Sequence, residues 1–237
     1  MIRTLRYLAA LLWFSGRHAS TVIIAAVVGV RQRPGGIYDR AAREWARGIL
    51  RWCRIGVTIE GRERLVPDVS VVYIANHVSF LDILAILAEL PGTIRFVYKK
   101  GMSWIPLLGT AMRASRHIPI DRRNRSAAFA AYDEAAKFIR QGASAAVFAE
   151  GTRSRDGRLK PFKKGPFVLA IAAQVAVVPV LCLNGFELLP KGSWRPRPGT
   201  VTLRIGEAIP TAGTNFEVRE QLAERTRAAI VGMGALE

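Results

Sequence analysis

From Ile55 onward, short apolar runs of strand length alternate with longer segments whose apolar residues recur at helical spacing. Few folds accept that rhythm. Strands interleaved with helices of ten or more residues give a mostly parallel sheet with helices on both faces. The expected strands are Val57–Ile59, Val69–Ala75, Thr93–Tyr98, His117–Ile120, Ala145–Phe148, Val177–Leu183 and Thr200–Ile205. Helices are predicted at Leu81–Leu90, Met102–Arg113, Arg125–Gln141, Pro166–Ala173 and Asn215–Val231. The last strand follows a Pro/Gly-rich loop, Pro190 to Gly199, and is free to pair differently from the rest. The fold class is therefore α/β, with a mixed, mostly parallel sheet of about seven strands.

Chemistry in open α/β sheets gathers at the carboxyl ends of strands. Asn76-His77-Val78-Ser79-Phe80-Leu81-Asp82 lies between two apolar runs, where a strand turns into a helix. A histidine held by an aspartate is the minimal apparatus for taking a proton from an alcohol. The competing account is structural. Ser79 makes a good helix cap, Asp82 three residues on completes a capping box, and His77 is then only a loop residue. That account leaves unexplained why one of three histidines in the chain stands at a strand's end.

A second block, Phe148-Ala149-Glu150-Gly151-Thr152-Arg153-Ser154, also follows an apolar strand and runs into a basic stretch ending at Gly165. Small residues with Arg and Lys after a strand make an anion site, because amides and guanidinium both reach a phosphate. A solvated basic loop is the alternative, weakened by Phe162 and Phe167, which imply packing. Third, Lys99 and Lys100 end a strand and meet the apolar turn Met102 to Gly109, where Ile105 and Leu108 read as core. A cationic end beside an apolar wall suits an amphiphile with an anionic head. Arg116, Arg122 and Arg123 add cation after the next strand. Fourth comes Val177-Val178-Pro179-Val180, a buried strand interrupted by a proline.

Half of the 237 residues are hydrophobic, yet the net charge is +17. Mean hydropathy is positive, at +0.17. A chain both apolar and strongly basic fits an anionic membrane surface. Nucleic acid is the rival partner, but no nucleic-acid motif appears, so anionic membrane lipids and no nucleic acid are expected. Cys53 and Cys182 lie among apolar residues and form no zinc or redox pattern, so buried free thiols are expected.

Residues 1–54 read as a membrane-associating helical segment and residues 55–237 as the α/β domain. Leu5 to Phe14 and Thr21 to Val30 are apolar, but Ser15, Gly16, Arg17, His18 and Ser20 interrupt them. A span needs about 20 apolar residues, and Arg17 near a bilayer centre costs about 2.5–3.5 kcal/mol on insertion scales. Arginines flank both ends. A shallow hairpin or an in-plane helix pair is therefore expected rather than one span, and a cleaved signal peptide is the weaker alternative. Tyr38–Arg54 reads as an amphipathic helix with Trp45, Ile49, Trp52 and Cys53 on one face and an arginine stripe beside it. Both an interfacial helix and a helix docked on the α/β domain through its tryptophans satisfy that pattern.

The four blocks, in this order and spacing, resemble the bacterial 1-acyl-glycerol-3-phosphate acyltransferases and their wider glycerolipid acyltransferase superfamily. The matching residues are NHVSFLD, KKGMSWIPLLG, FAEGTRSRDGRLKPFKKG and VVPV, spread over roughly half of the chain. Gly101 stands where relatives often carry an acidic residue. The resemblance implies a catalytic His77 with Asp82 and a phosphate contact by Arg153, with Gly151 and Thr152 shaping its loop. It suggests Lys100 as a second head-group contact, and Glu150 either positioning Arg153 or binding the glycerol. It implies acyl transfer to the 2-hydroxyl of lysophosphatidic acid from acyl-CoA or acyl carrier protein, at the cytoplasmic face of a bacterial inner membrane. No nucleotide fingerprint or metal-ligand cluster is visible, so no cofactor is expected. The alternatives are another lysolipid acceptor, such as lyso-ornithine lipid, or a non-catalytic membrane lipid-binding protein.

Overall fold

The structure is a computed structural model and describes residues 2–121 and 123–236; Arg122 lies outside the described residues. Seven strands form one sheet: β1 (Ile55–Glu60), β2 (Val72–Ala75), β3 (Thr93–Lys99), β4 (Ile118–Ile120), β5 (Ala143–Phe148), β6 (Val177–Leu183) and β7 (Gly199–Ile205). Their order is β1-β7-β6-β2-β5-β3-β4. Every neighbouring pair is parallel except β6–β7. The mixed, mostly parallel α/β sheet is thus as expected, and β7, after its Pro/Gly-rich loop, is the strand that pairs differently.

The helices are α1 (Ile2–Val27), α2 (Ile37–Trp52), α3 (Leu81–Glu89), α4 (Leu108–Ala114), α5 (Arg125–Ile139), α6 (Gly165–Ala173), α7 (Gly185–Leu188) and α8 (Arg219–Gly232). Alternation within a strand sorts side chains to opposite faces. In β2, Tyr73 and Ala75 join α1, α2 and α3 on one face, while Val72 and Ile74 join α5, α6 and α8 on the other. All four are buried, as a central strand covered on both sides requires. Leu81, Leu84 and Ile86 of α3 are fully buried, each worth about 1.5–3 kcal/mol of burial.

Pro179 sits inside β6 without disrupting it. Its carbonyl accepts from Gly206 N–H on the β7 side. In a parallel strand a residue's N–H and C=O point the same way. The missing donor therefore faces β7, whose ladder with β6 begins only at Val180, and the β2 ladder loses nothing.

Two expectations change. The polar residues at 15–20 do not break the N-terminal segment: α1 is one continuous helix. They are its docking groups. Trp45 Nε1 donates to Ser15 Oγ at 3.0 Å, and Arg17 pairs with Glu44 at 3.1 Å. Gly48 of α2 lets the Phe14 ring approach so closely that a Cβ there would fall 2.4 Å from it. The predicted helix 102–113 is split instead. Pro106 drives Ile105 to extended backbone, Leu107 takes φ 64°, and α4 starts only at Leu108 after a 3-10 turn over Lys100–Trp104. Ile105 and Leu108 are not core but exposed, beside Trp104 at 83% exposure.

α2 docks through Ala42, Ala46, Ile49 and Leu50, in the same core as the sheet; Trp52 faces outward. Part of its arginine stripe is spent on protein. Arg43 donates to the carbonyls of Leu90 and Gly92, and Arg47 to Ala88, all at 2.8 Å. These are orphan carbonyls at and beyond the end of α3, satisfied by cations as helix C-termini favour. Asp39 adds a buried pair with Arg95 at 2.7 Å, supported by Thr93 and the Gly35 amide.

Candidate active site

Sheet register brings the two principal motifs together although about seventy residues separate them. Ala75 at the end of β2 is paired with Phe148 at the end of β5, so His77 and Glu150 each lie two residues past the same rung. Glu150 joins the loops: Oε1 accepts from His77 N–H at 2.7 Å and Oε2 from Lys160 N–H at 3.0 Å. Ser154 N–H donates to the His77 carbonyl at 2.7 Å. Glu150 is buried, and that burial lifts its pKa from 4.5 to about 7 against the pull of the two amides. Both its oxygens are thus engaged by backbone, behind the histidine. On the other side of β2, Asn76 spans to β6, donating to the Cys182 carbonyl at 3.0 Å and accepting from Cys182 N–H at 2.7 Å. Cys182 and Cys53 are buried free thiols.

His77 and Asp82 meet as the motif suggested. His77 Nδ1 lies 3.0 Å from Asp82 Oδ2, and the same oxygen accepts from Val78 N–H and Ser79 N–H at 2.8 Å each. The structural account of this motif is also realised: the Ser79 hydroxyl accepts from Leu81 N–H while the Asp82 carboxylate reaches back to Ser79. One fully buried carboxylate therefore caps the helix and orients the imidazole. A carboxylate only accepts, so Nδ1 carries the ring proton and Nε2 keeps a lone pair. The ring stacks on Phe148, centroids 3.8 Å apart and planes 11° apart.

His77 stands on the wall of a cavity of about 930 Å³. Its other walls come from α1, α2, α3, β3 and the turn into α4, and are largely apolar, with Leu11, Ile83, Leu87, Phe96 and Leu108 among them. Gly151, Thr152 and Arg153 line the same cavity, and so does Lys99. Lys100 is exposed and lies off the wall, one residue along the backbone from Lys99. Glu150 also lies off the wall.

Two lysines complete the cationic side: Lys160, from the basic stretch already read as an anion site, and Lys191, which nothing in the sequence singles out. Lys191 Nζ donates to Thr152 Oγ1 and to the Arg153 carbonyl at 3.2 Å each, and Lys160 Nζ donates to that carbonyl at 3.2 Å. Desolvation, then repulsion from Arg155, Lys160 and Arg153, holds the Lys191 ammonium below the ordinary lysine range. Arg153 has no carboxylate partner within salt-bridge distance among the described residues. A cation cluster of this kind awaits an anion. Among the described residues, no three His, Cys, Asp or Glu side chains are placed to hold a metal ion. The arrangement offers a base, an anion site and an apolar recess side by side.

Comparison with known proteins points the same way. The acyltransferase family model matches residues 56–183. A 1-acyl-sn-glycerol-3-phosphate acyltransferase of Chlamydomonas reinhardtii is 38% identical over 176 residues, 73% of this chain and 52% of that protein. A putative 1-acyl-sn-glycerol-3-phosphate acyltransferase, acl-2, of Caenorhabditis elegans is 32% identical over 205 residues, 84% of this chain and 73% of that protein. The crystal structure of the 1-acyl-sn-glycerophosphate (LPA) acyltransferase PlsC from Thermotoga maritima superposes with a TM-score of 0.73 at 26% identity, covering 99% of both chains. The chain spans about half the length of the first curated relatives it matches, or less: 52%, 48% and 38% of three of them.

Proposed function

The chain belongs to the acyltransferase family, and from that premise we propose that it transfers a fatty acyl group from an acyl thioester to the 2-hydroxyl of 1-acyl-glycerol-3-phosphate, giving phosphatidic acid. The observation that carries the reading is the adjacency, in one cavity, of the Asp82-held His77, the Arg153 loop and the apolar recess.

In this mechanism the acceptor phosphate lies against Arg153 and Lys191, with Lys160 behind them. Gly151 and Thr152 let the backbone come close. The glycerol hydroxyl then reaches His77 Nε2, which takes its proton as the oxygen attacks the thioester carbonyl. Asp82 stabilises the imidazolium that forms. The tetrahedral intermediate collapses by breaking the C–S bond, and the imidazolium returns its proton to the departing sulfur. Ester and free thiol are the products, so no acyl-enzyme is needed. The acyl tail occupies the recess. Lys99 is better placed than Lys100 to meet an anionic group at the cavity. Glu150 acts through His77 and Lys160, by fixing the distance between the base and the phosphate loop.

Location follows from surface chemistry. α1 is long and apolar enough to cross a membrane, yet Ala10, Ala19, Val22 and Ala25 are buried by the protein. Its outer face exposes Ile2, Leu5, Leu12, Trp13 and Ile24. We place α1 in the membrane interface, apolar side down, with residues 1–54 as the anchoring part of the chain. Arginines at both of its ends favour the cytoplasmic leaflet of a bacterial inner membrane.

The test is acceptor-dependent release of thiol from acyl-CoA or acyl carrier protein by detergent-solubilised protein. Turnover with lysophosphatidic acid is expected, and loss of a general base, His77→Ala, should cost about 10²–10⁴ in kcat. Turnover only with a different lysolipid would move the acceptor assignment, and undiminished turnover in His77→Ala would remove the base.

A further inference from the structure

All three histidines of the chain, His18, His77 and His117, line the one cavity, and transfer chemistry uses only the second. The other two come from different elements, His18 from α1 and His117 from the approach to β4. His77 follows β2 and His117 precedes β4, three strands away across the sheet and about four residues lower along the strands. A file of rings marks the path: His77 on Phe148, Phe148 on Phe96 and Phe96 against His117, with centroids 3.8, 5.7 and 6.4 Å apart. His18 reaches the same cavity from α1, its ring 5.9 Å from Trp45, and burial lowers its pKa so that it stays neutral.

The surrounding wall is apolar, with Leu87, Ala111 and Met112, so two imidazoles are chemically out of place. His117 Nδ1 accepts from Phe96 N–H at 3.0 Å. The ring proton therefore sits on Nε2, a hydrogen-bond donor on the cavity-lining ring. Burial, then the Arg95 cation, pushes His117 down to about 3, so that tautomer persists at every working pH. His18 lacks a well-formed hydrogen bond: its Nδ1 is buried and unpartnered, beside the Ala41 carbonyl. A buried polar nitrogen such as His18 Nδ1 is costly unless something bonds to it.

We propose that His18 and His117 form a polar receptor at the end of the acyl recess, and that it selects acyl donors carrying a hydroxyl on the distal part of the chain. A hydroxyl both accepts and donates, so it takes the His117 Nε2 proton bond and offers its own hydrogen to His18. The file of rings is at most about 16 Å long, and an extended chain advances about 1.2 Å per bond, as polypeptide does, so a chain of about twelve bonds from the thioester is the length to test. The inference rests on the recess being the acyl site of the transferase.

Its test separates the two readings. Binding of 12-hydroxydodecanoic acid and dodecanoic acid to the whole protein, by displacement of a fluorescent fatty acid, requires no turnover. The wild type should bind the hydroxy acid about three- to ten-fold more tightly, the worth of one neutral hydrogen bond. His18→Leu should reverse that order, and His18→Gln should restore part of it. The same ratios should appear in kcat/KM for the two CoA thioesters. Tighter binding of dodecanoic acid by the wild type, or a ratio unmoved in His18→Leu, overturns the proposal and leaves a water between the imidazoles as the occupant. Failure of both thioesters to turn over, with the binding preference intact, would count against the transferase reading instead.

Discussion

Gly185 opens α7 directly behind the His77–Asp82 pair, and replacing it by alanine tests whether that pair is held as tightly as the geometry implies. A Cβ there would lie 2.7 Å from Asp82 Oδ1, 3.0 Å from Ser79 Cβ and 3.4 Å from Val78 Cγ2. Asp82 is fully buried, so the carboxylate relieves the contact only by moving about 0.7 Å toward ordinary van der Waals distance. Oδ2 moves with it, away from three donors now at 2.8, 2.8 and 3.0 Å. That displacement takes the bonds past the useful limit of about 3.2 Å and releases the imidazole. Misplacement on this scale costs up to about 10² in rate. We expect kcat to fall ten- to a hundred-fold in the thiol-release assay, with KM for the lysolipid within about two-fold, because the added carbon's nearest neighbours are Asp82, Ser79 and Val78 rather than the cations of the phosphate loop. Overpacking should cost about 1–3 kcal/mol, or some 2–4 °C per kcal/mol in Tm for a chain of this size. Gly232→Ala, whose added carbon meets nothing within 4 Å, is the control. A Gly185→Ala protein with wild-type kcat would refute the claim that the Asp82 contact sets the base.

Arg153→Ala should raise KM for lysophosphatidic acid by about ten-fold or more, the loss of a charge-assisted hydrogen bond, with Lys191→Ala smaller in the same direction; identical kinetics in both variants would remove the phosphate site from this loop. Glu150 predicts a pH effect on stability rather than on binding. Its folded value, about 7, lies above the ordinary 4.5, so the folded protein keeps a proton that the unfolded chain releases. That contribution is complete below about 4.5 and is lost as pH rises through 7. Thermal melts of wild type and Glu150→Gln should therefore show the wild type losing ground between pH 5 and 8, and parallel curves would place the ionisation elsewhere.

The central strands β2, β5 and β6 were legible as apolar runs and the edge-ward β1 and β7 by alternation of apolar and polar residues, patterns that survive any tertiary arrangement. The His77–Asp82 pair was legible because both partners lie within one turn of backbone. What the sequence hid is what depends on register and docking. Lys99 and Lys100 are equivalent in sequence, and only where the strand ends decides between them: Lys99 closes β3 at the cavity and Lys100 begins the 3-10 turn beyond it. Lys191 comes from a loop more than a hundred residues from His77, with no local signal beyond its charge. Ser15 and Arg17 looked like a helix breaker because their partners, Trp45 and Glu44, sit on another helix. The break at Pro106 was written in the sequence, since proline displaces its predecessor from helical backbone. The helical periodicity around it obscured that signal.

Two of the elements that wall the recess, α1 and the turn into α4, also carry the exposed apolar surface, and that coincidence bears on how substrate arrives. Leu12 of α1 lines the cavity while 76% exposed, and Leu107, before α4, does so at 48%. Trp13 and Trp104 stand beside them at 70% and 83% exposure. A fatty chain that crossed water to reach the recess would expose its methylenes at about 0.8 kcal/mol each. A twelve-carbon chain then faces a barrier on the order of 10 kcal/mol before any chemistry. If the outer faces of α1 and the Met102–Leu108 turn sit in lipid, the chain passes between them from one apolar medium to another and the barrier disappears. The interruption of the 102–113 helix serves that arrangement. A continuous helix would draw the turn onto the protein, whereas Pro106 and the positive φ of Leu107 hold its tryptophan and leucines outward, at the mouth of the recess.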